Sequence, residues 1–173
     1  KYPDFLRKAE KRLAKAQRKL SKKLKGSHNR EKQRLRVAIL HEKVANQRRD
    51  FLHKKSRYLA DRYDVIGIED ISVKAMAKRK KGGKFSFGKS VADNGWNMFT
   101  NMLEYKLAWQ GKKLIKIDKW YPSSQLCHVC GYQNHETKDL SVREWDCPKC
   151  GSHHNRDKNA AINIREEARR ISA

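Results

Sequence analysis

Apolar positions recur along this chain at two different periods. Leu6, Leu13 and Leu20 lie seven residues apart, with Ala9 and Ala16 three positions after the first two. That spacing is the seam of an amphipathic helix. Gly26 and Ser27 interrupt it, and Asn29 is a candidate cap for a second helix. Val37, Leu40, Val44, Phe51 and Tyr58 share one face of that second helix. Residues 1–64 therefore predict a helical hairpin with facing apolar stripes. Residues 65–69, VIGIE, are β-branched, too short for a helix and end on an acid, which predicts a short buried strand. A helix is expected from about residue 92 to 110, with Trp96, Phe99, Leu103 and Leu107 at helical spacing and Gly111 closing it. Residues 114–118 read as a second strand. A last helix starts near Asn155 and carries Ala161, Ile164, Ala168 and Ile171 inward. The class is α/β. Two strands alone make a poor sheet, so this reading expects partner strands from a larger domain or another chain.

Charge changes the picture next. The chain holds 42 Lys+Arg against 19 Asp+Glu, a formal net charge of +23 over 173 residues. Ion pairs along helix faces cannot absorb an excess that is nearly all positive. A polyphosphate backbone is the expected partner, because neutralising phosphates releases condensed counterions. No signal peptide, long apolar run or lipidation motif is visible, so a soluble cytoplasmic, nucleoid-associated protein without a membrane partner is expected. Lys78, Arg79, Lys80, Lys81 and Lys84 form a cationic loop. Phe85 and Phe87 within it serve either base stacking or packing of the loop. Lys138, Arg143, Lys149 and Arg156 are further candidate phosphate contacts. Trp96, Phe99, Trp109 and Trp120 are read as core or ribbon-docking residues, and Ser123 and Ser124 as part of a turn.

The four cysteines stand in two pairs, Cys127-x-x-Cys130 and Cys147-x-x-Cys150, with sixteen residues between. Each pair offers two thiolates from one tight turn, and two such knuckles surround one tetrahedral ion. Gly131 and Gly151 follow the second cysteine of each knuckle, where a chain reversal is expected. The spacing predicts a structural zinc ribbon; a rubredoxin-like iron site has related spacing. Four sulfurs leave no open coordination position, so the metal shapes the module and does no chemistry. His128, His135, His153 and His154 lie nearby and are expected as surface histidines or phosphate contacts, not ligands, since the cysteines fill the shell.

Two acids complete the candidates. Glu69 ends the first strand, and Asp157 sits in the first turn of the last helix. Each also has a plain account, as a solvated strand end and as a complement to the helix dipole.

Several runs resemble one family: IED at 68–70, GWNMF at 95–99, LEYK at 103–106, YPSSQLC at 121–127 and NRDKNAA at 155–161. In order and spacing they are similar to the C-terminal half of the transposon-encoded OrfB/TnpB family, itself similar to type V CRISPR effectors. The resemblance implies a partial RuvC-like domain of the RNase H fold, with a long N-terminal helical hairpin and an inserted four-cysteine zinc ribbon. Residues 1–119 would be the partial RuvC-like domain including the hairpin 1–64. Residues 120–152 would be the ribbon that binds target nucleic acid, and 153–173 the C-terminal RuvC-like helix. Three family carboxylates hold two Mg²⁺ ions; the second maps onto Glu69 and the third onto Asp157. The first, on an opening strand, has no counterpart here, since Asp4, Asp50, Asp61 and Asp64 fall in or beside helices and Asp118 corresponds to a different position. Asn155 stands where many relatives have Asp, and is read as an N-cap. The expected function is the nucleic-acid-binding C-terminal portion of an RNA-guided, Mg²⁺-dependent DNA endonuclease tied to transposition, inactive alone, with DNA and a guide RNA as partners. The alternative is a non-catalytic zinc-ribbon DNA- or RNA-binding remnant or accessory protein.

Overall fold

The structure is a computed structural model that describes residues 5–72 and 95–173. Among the described residues four helices and four short strands follow in order: α1 (Phe5–Ser21), α2 (His28–Arg62), β1 (Val65–Glu69), α3 (Trp96–Trp109), β2 (Lys113–Ile117), a 3₁₀ turn (His135–Lys138), β3 (Glu144–Asp146), β4 (His153–Asn155) and α4 (Arg156–Ser172). They divide between two compact units, Lys1–Asp61 with Ser72–Lys106, and Arg62–Ile71 with Leu107–Ala173.

The first unit is the helical hairpin joined by α3. Leu13 and Val44 are buried in it, and the Phe5 ring meets Phe51 edge-on at 5.9 Å between centroids. Polar bonds fix the reversal. The Arg30 guanidinium donates to the carbonyls of Leu20 and Lys23, both at 3.0 Å, closing the end of α1. Gln33, buried, donates to the Ala16 carbonyl at 2.9 Å. The cap of α2 is Ser27 and not Asn29: its hydroxyl accepts from the Arg30 N–H at 3.2 Å.

Tyr58 is exposed, although it continues the seven-residue series of Val37, Val44 and Phe51. A straight helix turns 100° per residue, so each heptad drifts about 20° off the seam. The inner face passes instead to Leu52, Ser56 and Ala60. On α3, the buried Lys106 ammonium donates to the His53 carbonyl at 2.8 Å and the Ser56 hydroxyl at 2.7 Å. Burial, then the nearby Arg57 charge, lowers its pKa.

The second unit starts from two parallel strands, in register from Val65 beside Lys113 to Glu69 beside Ile117. Helix α4 packs on both. Its approach needs Gly67: a Cβ there would stand 2.7 Å from the Ala168 Cβ and 3.2 Å from the Ile164 carbonyl. The first strand is half-buried, not buried, and Val65 lies open. Helix α4 also departs from its expected stripe. Ala161 and Ile171 are exposed, and Asn159, Asn163 and Ala168 are buried. The inner face is largely polar because it meets main-chain atoms of the ribbon.

Candidate functional site

Two knuckles with one backbone pattern build the cysteine cluster. In the first, Cys127 N–H donates to the Tyr132 carbonyl and Gly131 N–H to the Cys127 carbonyl, each at 2.8 Å. In the second, Cys147 N–H donates to Ser152 O at 2.9 Å and Gly151 N–H to Cys147 O at 2.8 Å. Gly131 and Gly151 turn the chain at φ +72° and +71°, where a Cβ is strained. Antiparallel pairing of β3 with β4 carries the second knuckle.

The four sulfurs lie within 4.8 Å of one another. Cys127 Sγ stands 3.7 Å from Cys150 Sγ, and Cys130 Sγ 3.6 Å from Cys147 Sγ. A tetrahedral ion with metal–sulfur bonds near 2.3 Å sets sulfurs about 3.8 Å apart. The cluster therefore fits one such ion, and no disulfide joins the described cysteines.

Thiol acidity across the cluster is uneven. Cys150 is pulled down to about 6, first by hydrogen bonding to the Ser152 hydroxyl and then by the Ser152 backbone. At Cys130 the Tyr132 N–H favours the thiolate, but burial and the three neighbouring thiols outweigh it and push the group up to about 12. Burial raises Cys127. Without metal the sulfurs share protons unevenly; a central cation lets all of them ionise.

Around the sulfurs is a small core of Trp145 and Val142. His154 belongs to it and is not at the surface. It is 2% exposed, its Nε2 lies 3.1 Å from Cys127 Sγ, and its ring meets Trp145 at 4.6 Å and His128 at 4.8 Å. Burial, reinforced by the charges of His128 and His153, lowers its pKa. Exposed His153 pairs with Asp146 at 2.8 Å.

Helix α4 grips the first knuckle with two buried asparagines. Asn159 Nδ2 donates to the Leu126 carbonyl at 2.7 Å, and its Oδ1 accepts from the His128 N–H at 3.1 Å. Asn163 Nδ2 donates to Leu126 O at 2.7 Å and Ser123 O at 2.8 Å. Asn155 caps the helix, its side chain accepting from Lys158 N–H at 3.2 Å. The asparagine pair was missed in the sequence; its trace is two Asn four residues apart where an apolar stripe was expected.

Glu69 ends β1 half-buried, and Ser123 Oγ donates to its Oε1 at 2.5 Å. Asp157 is exposed in the first turn of α4. No hydrogen bond joins these two acids; they stand on elements that pack directly together. Lys138, Arg143 and Lys149 are exposed on the ribbon, and Arg156 reaches the Asp139 carbonyl at 3.4 Å. Lys78, Arg79, Lys80, Lys81 and Lys84, with Phe85 and Phe87, lie outside the described residues. Trp109 and Trp120 are not core: they are 77% and 80% exposed. A Lys119 ammonium stands 5.2 Å over the Trp120 ring.

Two family models match the chain, a probable transposase (OrfB of the IS605 type) over residues 1–80 and a Cas12f1-like TNB domain over residues 96–164. The chain is 44% identical over 162 residues to a "Putative RNA-guided DNA endonuclease" of Streptomyces pristinaespiralis, covering 94% of this chain and 39% of that protein. It is 36% identical to the "Putative RNA-guided DNA endonuclease InsQ" of Escherichia coli (strain K12), covering 91% and 41%. The chain belongs to the OrfB/TnpB family. It spans about 40% of the length of these two OrfB/TnpB relatives. The family's mixed helix and strand fold is shared with a chain in a cryo-EM structure of a Cas12f1–sgRNA–target DNA complex, at TM-score 0.58 and 23% identity, over 93% of this chain and 41% of that one. The four-cysteine cluster is suited to a single metal ion, an arrangement compatible with a zinc ribbon. Among the described residues no helix is long and apolar enough to cross a membrane.

Proposed function

We propose that this chain is the nucleic-acid-binding, carboxylate-bearing portion of a transposon-encoded, RNA-guided, Mg²⁺-dependent DNA endonuclease, acting on DNA in the cytoplasm at the nucleoid. Its β1–β2 pair with α4 is part of a RuvC-like domain of the RNase H fold. Residues 1–119 and 153–173 belong to that domain, and 120–152 is a zinc ribbon inserted in it. Zinc is held by Cys127, Cys130, Cys147 and Cys150 and is structural, since four thiolates leave no site for water.

The observation that carries the reading is the setting of Glu69. Its carboxylate ends a strand of a parallel pair, one oxygen is held by a buried hydroxyl, and the helix packed on that pair bears Asp157. Carboxylate oxygens suit a hard cation such as Mg²⁺. Glu69 and Asp157 would be the ligands this chain supplies. When bound, paired divalent cations polarise the attacking water and stabilise the leaving oxygen of a phosphodiester. The protein's own share is to fix Glu69, to present Asp157 at the positive end of α4 and to hold the nucleic-acid backbone. Lys138, Arg143, Lys149 and Arg156 of the second unit, and Lys78, Arg79, Lys80, Lys81 and Lys84, make phosphate contacts. On the hairpin, Arg12, Lys15, Lys19 and Arg36 stand around a cleft of about 420 Å³ with a mainly apolar floor and would offer their charges to an RNA backbone.

A cleavage assay on duplex DNA with guide RNA and Mg²⁺ or Mn²⁺ tests the reading. Glu69→Gln and Asp157→Asn are each expected to abolish whatever cutting is seen. Retention of wild-type rates by both would sink the carboxylate assignment. Affinity for nucleic acid should fall steeply with added salt.

A non-catalytic zinc-ribbon binder is the second reading. Its support is that no group of three acids, histidines or cysteines other than the four cysteines converges among the described residues. On this basis we expect the 173-residue polypeptide by itself to bind nucleic acid and to cut it weakly. Robust metal-dependent nicking, lost in Glu69→Gln, would exclude the binder.

A further inference from the structure

We propose that Ser123 is a positioning residue for the Glu69 carboxylate, so that the turn leading into the zinc ribbon is part of the acidic site. The proposal rests on the reading of Glu69 as a divalent-cation ligand.

Ser123 is 5% exposed, and its Oγ donates to Glu69 Oε1 at 2.5 Å. A short bond of this kind to an ionised acceptor is charge-assisted. Among the described residues the Glu69 carboxylate makes no other hydrogen bond; Oε2 is left for another partner. One oxygen fixed and one open is the arrangement of a carboxylate ligand whose rotation has been restrained.

The backbone that carries the hydroxyl is held on both sides. Ser123 N–H donates to the Tyr121 carbonyl at 2.8 Å, and the Ser123 carbonyl accepts from Asn163 Nδ2 at 2.8 Å. The next turn closes when Gln125 and Leu126 N–H donate to Pro122 O at 2.9 and 3.1 Å. One residue further stands Cys127, the first sulfur of the metal cluster. A continuous set of bonded groups thus runs from the cluster through the turn to Glu69. A hydroxyl serving only to finish a turn would bond to the turn's own backbone. This one crosses to the end of a strand 54 residues earlier in sequence.

The measurement is Mn²⁺ binding to the 173-residue chain, read by the EPR signal of free Mn²⁺, with bound zinc quantified in the same samples. Wild type, Ser123→Thr, Ser123→Val, Ser123→Ala and Glu69→Gln are compared. Thr and Val share a shape and differ by one hydroxyl, so packing effects cancel between them. Ser123→Thr should bind Mn²⁺ like the wild type. Ser123→Val and Ser123→Ala should bind about 10- to 100-fold more weakly, the range for losing a partner of a metal-ligating group. Zinc stoichiometry should be unchanged in all. Equal Mn²⁺ affinity for Ser123→Thr and Ser123→Val overturns the proposal and leaves Glu69 as a ligand. Loss of zinc from Ser123→Val but not from Ser123→Thr also overturns it, by making the hydroxyl a support of the knuckle. Wild-type Mn²⁺ affinity in Glu69→Gln removes the underlying reading instead.

Discussion

The hairpin and the ribbon are stabilised in opposite ways. In the hairpin, Leu13, Val44, Leu52 and Ala60 are buried at helical spacing, and the charged outer faces carry ion pairs such as Arg34–Glu31 that lie open to water. In the ribbon and the strand β4 that pairs with it, β3 and β4 have three residues each, and the small core gathers on cysteine sulfurs, Trp145 and the β4 residue His154. The hairpin follows from burying many interchangeable apolar groups. The ribbon depends on a few groups, each with a named partner. The first should therefore yield gradually to substitution and the second all at once.

Chelating the metal, or changing Cys147 to Ser, should have the largest effect. Apparent free energies for structural zinc sites run to about 10–16 kcal/mol, so ribbon resonances should collapse in NMR spectra. Hairpin helicity should survive, and simultaneous loss of both would break the contrast. Leu52→Ala comes next, with an expected loss of about 2–5 kcal/mol from the emptied core. Thermal unfolding should register it while zinc content stays full. Asn163→Ala follows. It strips a donor from the Leu126 carbonyl, which keeps Asn159, and from the Ser123 carbonyl, and a buried acceptor that loses its partner costs roughly 1–3 kcal/mol. Arg34→Ala on the hairpin surface should be smallest, within about 0.5 kcal/mol, since exposed ion pairs contribute little. An effect of Arg34→Ala as large as that of Asn163→Ala would erase the distinction.

What the sequence revealed follows the same line. Periodicity located the described helices and the β1–β2 pair because burying a face imposes a repeat, whereas β3 and β4, three residues each, are too short to show one. It erred where the repeat drifts, at Tyr58, and where the inward face is polar, at Ala161 and Ile171 of α4. The cysteine spacing was legible because a tetrahedral ion dictates it. His154, Asn159, Asn163 and Ser123 were not, since their roles depend on partners distant in sequence, up to 54 residues away for Ser123. Exposed Trp109 and Trp120 were misread because large aromatics are usually buried.

The joint between α4 and the ribbon engages the chain mainly through peptide groups, with one side-chain contact, Asn159 Oδ1 to His128 Nδ1 at 2.9 Å. Asn159 and Asn163 bond to the carbonyls of Ser123 and Leu126 and to the N–H of His128. Atoms of that kind are the same whatever amino acid bears them. Leu126 can therefore be exchanged, and the outer surface of the ribbon redecorated, without redesigning the attachment. The two asparagines have no such latitude. The ribbon can diverge as an interchangeable head on a fixed socket.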